Sequence, residues 1–232
     1  FIVRKKVTDD LWKDHINGKG PALGIIPITE DNNCKWGCID IDEYNLDHYA
    51  LISRIRKLDL PLVVCRSKSG GAHVFLFADN FLPAVLFRSK LKEMAAKLGY
   101  ANAEIFPKQN KVDMQKGGTG SFLNLPYHNE KMTMRYAIKD DGSAMSIIEF
   151  FEAHSKVKLS EDQLSKLSIK EEKVLDNLLK GAPPCLVTIA KQGIPNGQRN
   201  NALYNFGVYT KKRFPDSWDT EIFKYNDAYC KP

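Results

Sequence analysis

The sequence predicts an α+β fold followed by a segment built only from helices. Over residues 1–156, apolar runs with strand character alternate with amphipathic helical stretches, without the regular strand and helix repeat of a parallel sheet. From Ser160 onward the pattern becomes entirely helical. We therefore expect a mixed sheet with helices packed on it in residues 1–156 and a small all-helical domain in residues 157–232.

The first elements are predicted from caps, apolar periodicity and breaker residues. A short helix starts after Thr8, which is followed by two acids in the position of a first helical turn. Two apolar runs follow at residues 22–28 and 36–42, and we expect them to pair as a β-hairpin. Residues 46–58 carry apolar side chains at helical spacing before a proline, which predicts a packing helix.

The remaining elements are predicted from apolar runs bounded by turn residues. In the sheet domain they are strands at residues 62–67, 72–77, 104–106, 122–125 and 136–138, and helices at residues 83–98 and 146–154. In the helical segment, which two consecutive prolines interrupt, they are helices at residues 160–179, 184–192, 198–214 and 218–230.

Composition narrows the class of protein. Apolar residues make up 43% and charged residues 27% of the 232 positions, as in soluble globular proteins, and no apolar run is long enough to span a bilayer. Lys and Arg number 34 against 28 Asp and Glu, a balance that suits a polyanionic partner. The five cysteines are scattered without zinc-site spacing, which indicates reduced thiols in a cytoplasmic protein. Because the chain begins without Met and stops after a helical stretch, we expect a fragment of a longer protein.

Two carboxylates lie one residue apart in a strand-like run. Side chains of a strand alternate in direction, so Asp40 and Asp42 project to one side while Ile39 and Ile41 project to the other. Two like charges this close are tolerated at a solvated surface or with a cation between them. An isolated pair of this kind favours an exposed strand edge, so a metal site requires support from other residues.

A histidine follows a basic, glycine-containing turn. Alone, His73 on an apolar strand is more often a core residue. The hydroxyl, cationic and glycine N–H groups just before it can gather phosphate oxygens, and a protonatable histidine beside them can donate to a triphosphate. These groups belong to Arg66, Ser67, Lys68, Ser69, Gly70 and Gly71.

Glu104 begins another short strand and is either an exposed edge residue or a third carboxylate. If its strand lies beside that of Asp40, three acids form a site for one or two Mg²⁺ or Mn²⁺ ions. Such ions activate an attacking hydroxyl and neutralise the departing pyrophosphate. Asp113 is a competitor for the position of the third ligand.

Polar and basic residues near these motifs are candidates for nucleic-acid or nucleotide contacts. Asn124 follows a glycine-rich turn and is either a contact to a nucleotide sugar or base or a structural residue. Further candidates for such contacts are mostly basic, and for those in a loop the alternative is a solvated loop without a contact. They are Lys108, Lys111 and Lys116 in one loop, and Arg199 with Asn200 at a helix start, where N–H groups can bind a phosphate.

In this order, the motifs resemble the archaeo-eukaryotic primase superfamily, and most nearly the primase-polymerases of phages, plasmids and related mobile or defence elements. The likeness covers roughly residues 20–130. It implies an RRM-like catalytic core in which Asp40, Asp42 and the acid at Glu104 hold Mg²⁺ or Mn²⁺ and His73 contacts the phosphates of the incoming nucleotide. Many relatives have Asp at the Glu104 position, and the zinc-binding element of some relatives is absent here.

The resemblance implies a DNA primase-polymerase. Such an enzyme transfers nucleotides from nucleoside triphosphates onto a 3′-hydroxyl or a first nucleotide, on a single-stranded DNA template. The helical segment would help to hold the template or initiating nucleotide, and phage or plasmid origin would place the protein in the host cytoplasm. A helicase domain in the same full-length chain is a candidate partner that the sequence does not reveal. The residues also fit a non-catalytic single-strand-binding module or a metal-dependent nuclease, and they locate no contact that would select ribonucleotides or deoxynucleotides.

Overall fold

The computed structural model describes residues 8–113, 118–169, 178–192, 194 and 197–230. It confirms the α+β class, with an antiparallel sheet and eight helices in these residues. The chain divides into two compact units. The first unit contains Phe1–Ile55, Pro61–Leu91 and Ala103–Leu167, and the second contains Arg56–Leu60, Lys92–Asn102 and Ser168–Pro232. The predicted division at residue 157 stays a prediction.

A four-stranded antiparallel sheet forms the centre of the first unit. Its strands lie side by side in the order β3, β4, β2, β5. In chain order, the elements that build it are β2 (Asn33–Ile41), α2 (His48–Lys57), β3 (Leu62–Arg66), β4 (Ala72–Pro83), α3 (Ala84–Leu98) and β5 (Glu104–Phe106). The order of elements is therefore β–α–β–β–α–β, and each helix joins two strands that are not neighbours in the sheet.

The predicted hairpin between residues 22–28 and 36–42 is wrong. Both edges of β2 are occupied, one by β4 and the other by β5, and only an isolated bridge joins Ile28 to Cys34. The first strand, β1 (Gly24–Ile25), pairs instead with β6 (Leu123–Asn124) in a separate two-stranded sheet.

The N-terminal helix is connected to the chain after β6 by a buried histidine. In α1 (Asp9–Ile16), His15 accepts a hydrogen bond at Nδ1 from the Leu23 N–H and donates from Nε2 to the Pro126 carbonyl. This pattern requires the neutral ring, and burial correspondingly lowers the pKa of His15.

The two faces of β2 have different environments. On one face, Gly37 lies against α3, where an added Cβ would come within 2.6 Å of the Leu91 side chain. On the other face, Cys38 is buried in an aromatic-rich core with Phe75 and Phe106. Helix α4 (Ile147–Val157) packs against this core and begins at the predicted Ser146 cap.

The regular elements described after α4 are all helices. Helix α5 (Glu161–Lys166) occupies the first part of the predicted 160–179 helix, and residues 170–177 lie outside the described residues. In the second unit, α6 (Pro184–Gln192), α7 (Arg199–Arg213) and α8 (Trp218–Tyr229) coincide with predicted helices. No helix in the described parts of the chain combines the length and apolarity needed to cross a membrane.

Candidate active site

Strand register places three candidate residues in one row across the sheet. Asp40 on β2 is directly opposite His73 on β4 and Glu104 on β5. Residues paired in this way point to the same face, so all three side chains share one surface. Asp42 lies two residues beyond Asp40, just past the end of β2, and its side chain is exposed.

Asp40 has an electrostatically unfavourable environment. Its Oδ1 atom is buried without a hydrogen-bond partner, and the nearest histidine atom, Nε2 of His73, lies 3.5 Å away. Burial, with the charges of Asp42 and Glu104, raises the pKa of Asp40 to about 6. A buried carboxylate oxygen without a partner is costly, and a bound cation would remove that cost. The donor chemistry of this acid pair therefore fits a hard divalent cation.

Glu104 is held differently from the other two acids. Its carboxylate lies 2.6 Å from the Nζ atom of Lys108, which also sits over the Phe106 ring at 5.0 Å from its centroid. Within the described residues, no group of three or more His, Cys, Asp or Glu side chains converges as a metal site. Glu104 thus lies beside Asp40 in the sheet, while its charge is balanced by Lys108.

The turn between β3 and β4 is tightly folded. The Ser67 N–H donates to the Gly71 carbonyl at 2.9 Å, and the Gly70 N–H donates to the Ser67 carbonyl at 3.3 Å. The prediction that glycine N–H groups of this turn gather phosphate oxygens is therefore wrong for Gly70, whose N–H is used inside the turn. Gly71 needs to lack a side chain, because an added Cβ would lie 2.1 Å from the Ile41 carbonyl oxygen.

A cavity of about 440 Å³ lies where this turn meets Asp40, Asp42 and His73, and Glu104 does not line it. Its volume is within the range of small-molecule sites. Of the predicted residues, it is lined by Asp40, Asp42, Ser67, Lys68, Ser69, His73 and Asn124. Four other residues line the cavity without a role predicted from the sequence, and they are Phe106, Phe122, Leu123 and Arg135.

His73 is mostly buried beside this cavity. Burial lowers its pKa, and the charge of Arg135 adds to that effect. The charge of Asp42 and a hydrogen bond to the Asn124 backbone act in the opposite direction. The protonation state of His73 therefore depends on the charges placed in the cavity.

Arg135 brings a cation to the cavity from a distant part of the sequence. Arg135 belongs to no motif. Its signal in the sequence is a single arginine just before the short predicted strand at residues 136–138. That run is positioned by β3, because the Arg66 N–H donates to the Tyr136 carbonyl at 2.8 Å and a bridge joins Cys65 to Ala137. Burial lowers the pKa of Arg135, which nevertheless keeps its charge at neutral pH.

The other candidate residues are placed outside the set that lines the cavity. Arg66 donates from its guanidinium to the Met134 carbonyl at 3.3 Å, and so supports the segment that carries Arg135. Lys111 and Asp113 are exposed, and Lys116 lies outside the described residues. Their proposed roles stay predictions.

In the second unit, two candidates occupy the start of α7. Arg199 donates from Nε to the Asn226 side chain at 2.9 Å, which links α7 to α8, and Asn200 is exposed. Arg199 therefore has a structural contact that accounts for at least one of its donors. Phosphate binding at this helix start stays a prediction.

The family assignment rests on the sheet-containing part of the sequence. Residues 3–167, more than half of the chain, match the family model described as "TOTE conflict system, Archaeo-Eukaryotic Primase domain". No curated protein matches the sequence. The family match confirms the resemblance inferred from the motifs. The chain therefore belongs to the archaeo-eukaryotic primase domain family of TOTE conflict systems.

Proposed function

We propose that this chain is a template-dependent primase-polymerase that transfers nucleotides from nucleoside triphosphates onto single-stranded DNA. Membership of the family indicates a primase-like nucleotidyltransferase. The observation that carries the finer proposal is the composition of one cavity, where the partnerless carboxylate oxygen of Asp40 adjoins hydroxyl and cationic groups suited to a triphosphate. We also propose that the β–α–β–β–α–β sheet is the RRM-like core of this enzyme, which its strand order supports.

In this proposal, Asp40 and Asp42 hold Mg²⁺ or Mn²⁺, with Glu104 alongside as the third acid. The bound cation supplies activation of the attacking hydroxyl and neutralisation of the phosphate charge. The chain contributes the fixed position of its acids. Asp40 is ionised above a pH of about 6, so its buried oxygen is available as a ligand at neutral pH.

The cationic side chains and hydroxyl groups of the cavity bind the triphosphate in this proposal. Arg135 and Lys68 supply cationic donors, and the Ser67 and Ser69 hydroxyls, which lie 3.1 Å apart, supply neutral ones. A bound triphosphate adds negative charge, which favours the protonated ring of His73 and gives that ring a second N–H to donate. These groups would orient the triphosphate for attack and then retain the pyrophosphate as it leaves.

The template contacts are proposed for exposed basic residues and for the start of α7. Lys108 and Lys111 follow the strand that carries Glu104, and Arg199 with Asn200 begins α7. Cationic side chains and helix N-termini both suit nucleic-acid phosphates. This proposal predicts binding to single-stranded DNA that weakens as salt concentration rises.

The test is incorporation of labelled nucleotides on primed and unprimed single strands in Mg²⁺ or Mn²⁺. We expect extension by the wild type and its loss in the Asp40→Ala, Asp42→Ala double variant. The matched control is Glu30→Ala, Asp31→Ala, which removes two adjacent exposed acids that do not line the cavity. The control should retain wild-type activity.

Three results would contradict this proposal. Extension that survives in the Asp40, Asp42 double variant would remove the site assignment. Cleavage of the strand without added triphosphate, or DNA binding without any incorporation, would favour a nuclease or a non-catalytic binding module instead.

A further inference from the structure

Three side chains of the cavity wall, those of Phe106, Phe122 and Leu123, have no role in metal or phosphate chemistry. Phe122 precedes β6, lines the cavity and is 53% exposed. Phe106 also lines the cavity, but it is only 4% exposed and its ring lies under Lys108. Among the described residues that line the cavity, Phe122 is therefore the one aromatic residue with a large exposed surface.

The ring of Phe122 has a fixed support. Gly24 pairs with Asn124 across the two-stranded sheet, and an added Cβ at Gly24 would lie 2.4 Å from Cδ2 and 3.1 Å from Cε2 of Phe122. The ring therefore packs directly on the backbone of Gly24, in space that any side chain would fill. The absence of a side chain at Gly24 allows the ring to be held in this position while part of it stays exposed.

A supported aromatic surface beside phosphate-binding groups suits a nucleobase. Bases stack on aromatic side chains with substantial affinity, and this stacking tolerates every base because each has a π-face. Phe122 also has no hydrogen-bonding group with which to distinguish one base from another. A templated enzyme needs this combination, because it has to accept each of four nucleotides and leave their selection to base pairing.

We propose that the base of the incoming nucleoside triphosphate stacks on the ring of Phe122. We also propose that residue 24 is a glycine because a side chain at this position would displace that ring. The inference rests on the proposed function, since it assigns the base of the same nucleotide whose triphosphate lies near His73 and Arg135. Phe122 is a positioning residue that sets nucleotide affinity and takes no part in proton transfer.

Binding without turnover tests this proposal. The full chain with Mn²⁺ and no template is titrated calorimetrically with a non-hydrolysable nucleoside triphosphate and, separately, with inorganic tripolyphosphate. We expect Phe122→Ala to weaken binding of the nucleotide by at least about fivefold for each of the four bases. Binding of tripolyphosphate should not change, because its contacts are elsewhere in the cavity.

Three further variants separate stacking from folding. Phe122→Trp keeps an aromatic face and should retain nucleotide affinity. Gly24→Ala leaves Phe122 in the sequence but displaces its ring, and should weaken nucleotide binding as Phe122→Ala does; Gly24 is outside the left-handed region, so alanine meets the ring without backbone strain. Phe81→Ala removes an equally exposed phenylalanine, 58% exposed and outside the cavity lining, and should bind as the wild type.

The outcomes distinguish this inference from the proposed function. Wild-type nucleotide affinity in Phe122→Ala would overturn the inference and leave the proposed function intact. Equal losses of affinity for nucleotide and tripolyphosphate in Phe122→Ala would show that the ring has a structural role, and would also overturn the inference. Weaker binding of single-stranded DNA with unchanged nucleotide binding would overturn it as well, because that result would assign the ring to the template. A wild type that binds neither ligand would remove the proposed function, and this inference with it.

Discussion

At the residue scale, the chemistry of the cavity depends on Asp40. Its buried oxygen has no hydrogen-bond partner, and Asp42 and Glu104 add like charge nearby. Folding therefore holds this carboxylate where its ionised form is disfavoured unless a cation is present. Such an arrangement is expected where function, and not stability, determines the residue.

Asp40→Asn is expected to stabilise the metal-free protein at pH 8. The pKa of Asp40 is raised from 3.8 to about 6 in the folded protein. The wild type therefore has its full free energy of unfolding below pH 3.8, where this group is protonated, and loses part of it as the pH rises through about 6. We expect a gain of about 1–2 kcal/mol in the free energy of unfolding at pH 8, allowing for solvent screening of this partly exposed group. Urea unfolding in a chelator at pH 8 and pH 4 measures the gain, which should vanish at pH 4.

Addition of Mn²⁺ provides the control for that experiment. A cation bound by the native state stabilises the wild type, so the advantage of Asp40→Asn should shrink or reverse. A variant that is less stable than the wild type at pH 8 in the chelator would show that Asp40 is not strained by burial and like charge.

Arg135→Gln is expected to weaken use of the nucleoside triphosphate. The variant keeps a polar side chain but removes the charge, and a hydrogen bond to a charged group contributes about 1.5–3 kcal/mol. The KM for nucleotide should therefore rise by roughly ten- to a hundredfold in the incorporation assay. Lys131→Gln removes an exposed cation that does not line the cavity and should leave the KM unchanged. Equal KM values for the two variants would show that Arg135 does not bind the triphosphate.

At the element scale, the site depends on the contact between the β3–β4 turn and the end of β2. Gly71 lies against the Ile41 carbonyl, and its own carbonyl accepts hydrogen bonds from the Ser67 N–H and from His48 Nε2. The turn is thus tied to the strand that carries Asp40. This contact sets the distance between the acids and the phosphate-binding groups.

Gly71→Ala is expected to destabilise the protein and to weaken nucleotide binding together. The added Cβ would lie 2.1 Å from a backbone oxygen, so β2 and the turn must separate. Overpacking of this kind costs about 1–3 kcal/mol, which chemical denaturation measures. Gly20→Ala, where a Cβ meets nothing within 4 Å, is the comparison; it should lower stability only through its positive φ and leave nucleotide affinity unchanged. Unchanged nucleotide affinity in Gly71→Ala would contradict the role of this contact.

Local signals in the sequence predict most elements, but they do not predict strand partners. The helix after Ser146 is predictable because its capping box lies within four residues, where the Ser146 hydroxyl accepts from the Glu149 N–H. The predicted hairpin between residues 22–28 and 36–42 is wrong because β2 pairs with strands far along the chain, and the residues in and around β2 carry no signal that identifies those partners. A second non-local pairing, of β3 with residues 136–138, brings Arg135 to the cavity, which is why the motifs predict the acids and the turn but not this cation.

At the scale of the whole molecule, residues 158–167 make contacts inside the first unit. The Leu159 N–H donates to the Phe77 carbonyl, and the Leu159 carbonyl accepts from the Asp79 N–H. Leu164 of α5 is fully buried, and the Lys90 ammonium donates to the Leu167 carbonyl at 2.7 Å. These contacts all lie within the first unit.

Two truncations test where the sheet-containing part of the chain can be cut. Ending the chain after residue 157 should give a less stable protein than ending it after residue 167, because only the shorter form loses Leu164 and the contacts of Leu159. Loss of a buried leucine alone costs about 2–5 kcal/mol. Thermal unfolding of the two forms measures the difference, and equal stability would show that residues 158–167 do not belong to the sheet-containing part.

The central claim is that one cavity binds both a divalent cation and a nucleoside triphosphate. A crystal structure of the chain with Mn²⁺ and a non-hydrolysable nucleoside triphosphate tests it most directly, because anomalous scattering locates the metal independently of the nucleotide. We predict Mn²⁺ on the carboxylates of Asp40 and Asp42, with the triphosphate beside His73 and Arg135. Metal or triphosphate bound elsewhere, with the Asp40 carboxylate uncoordinated, would contradict the account.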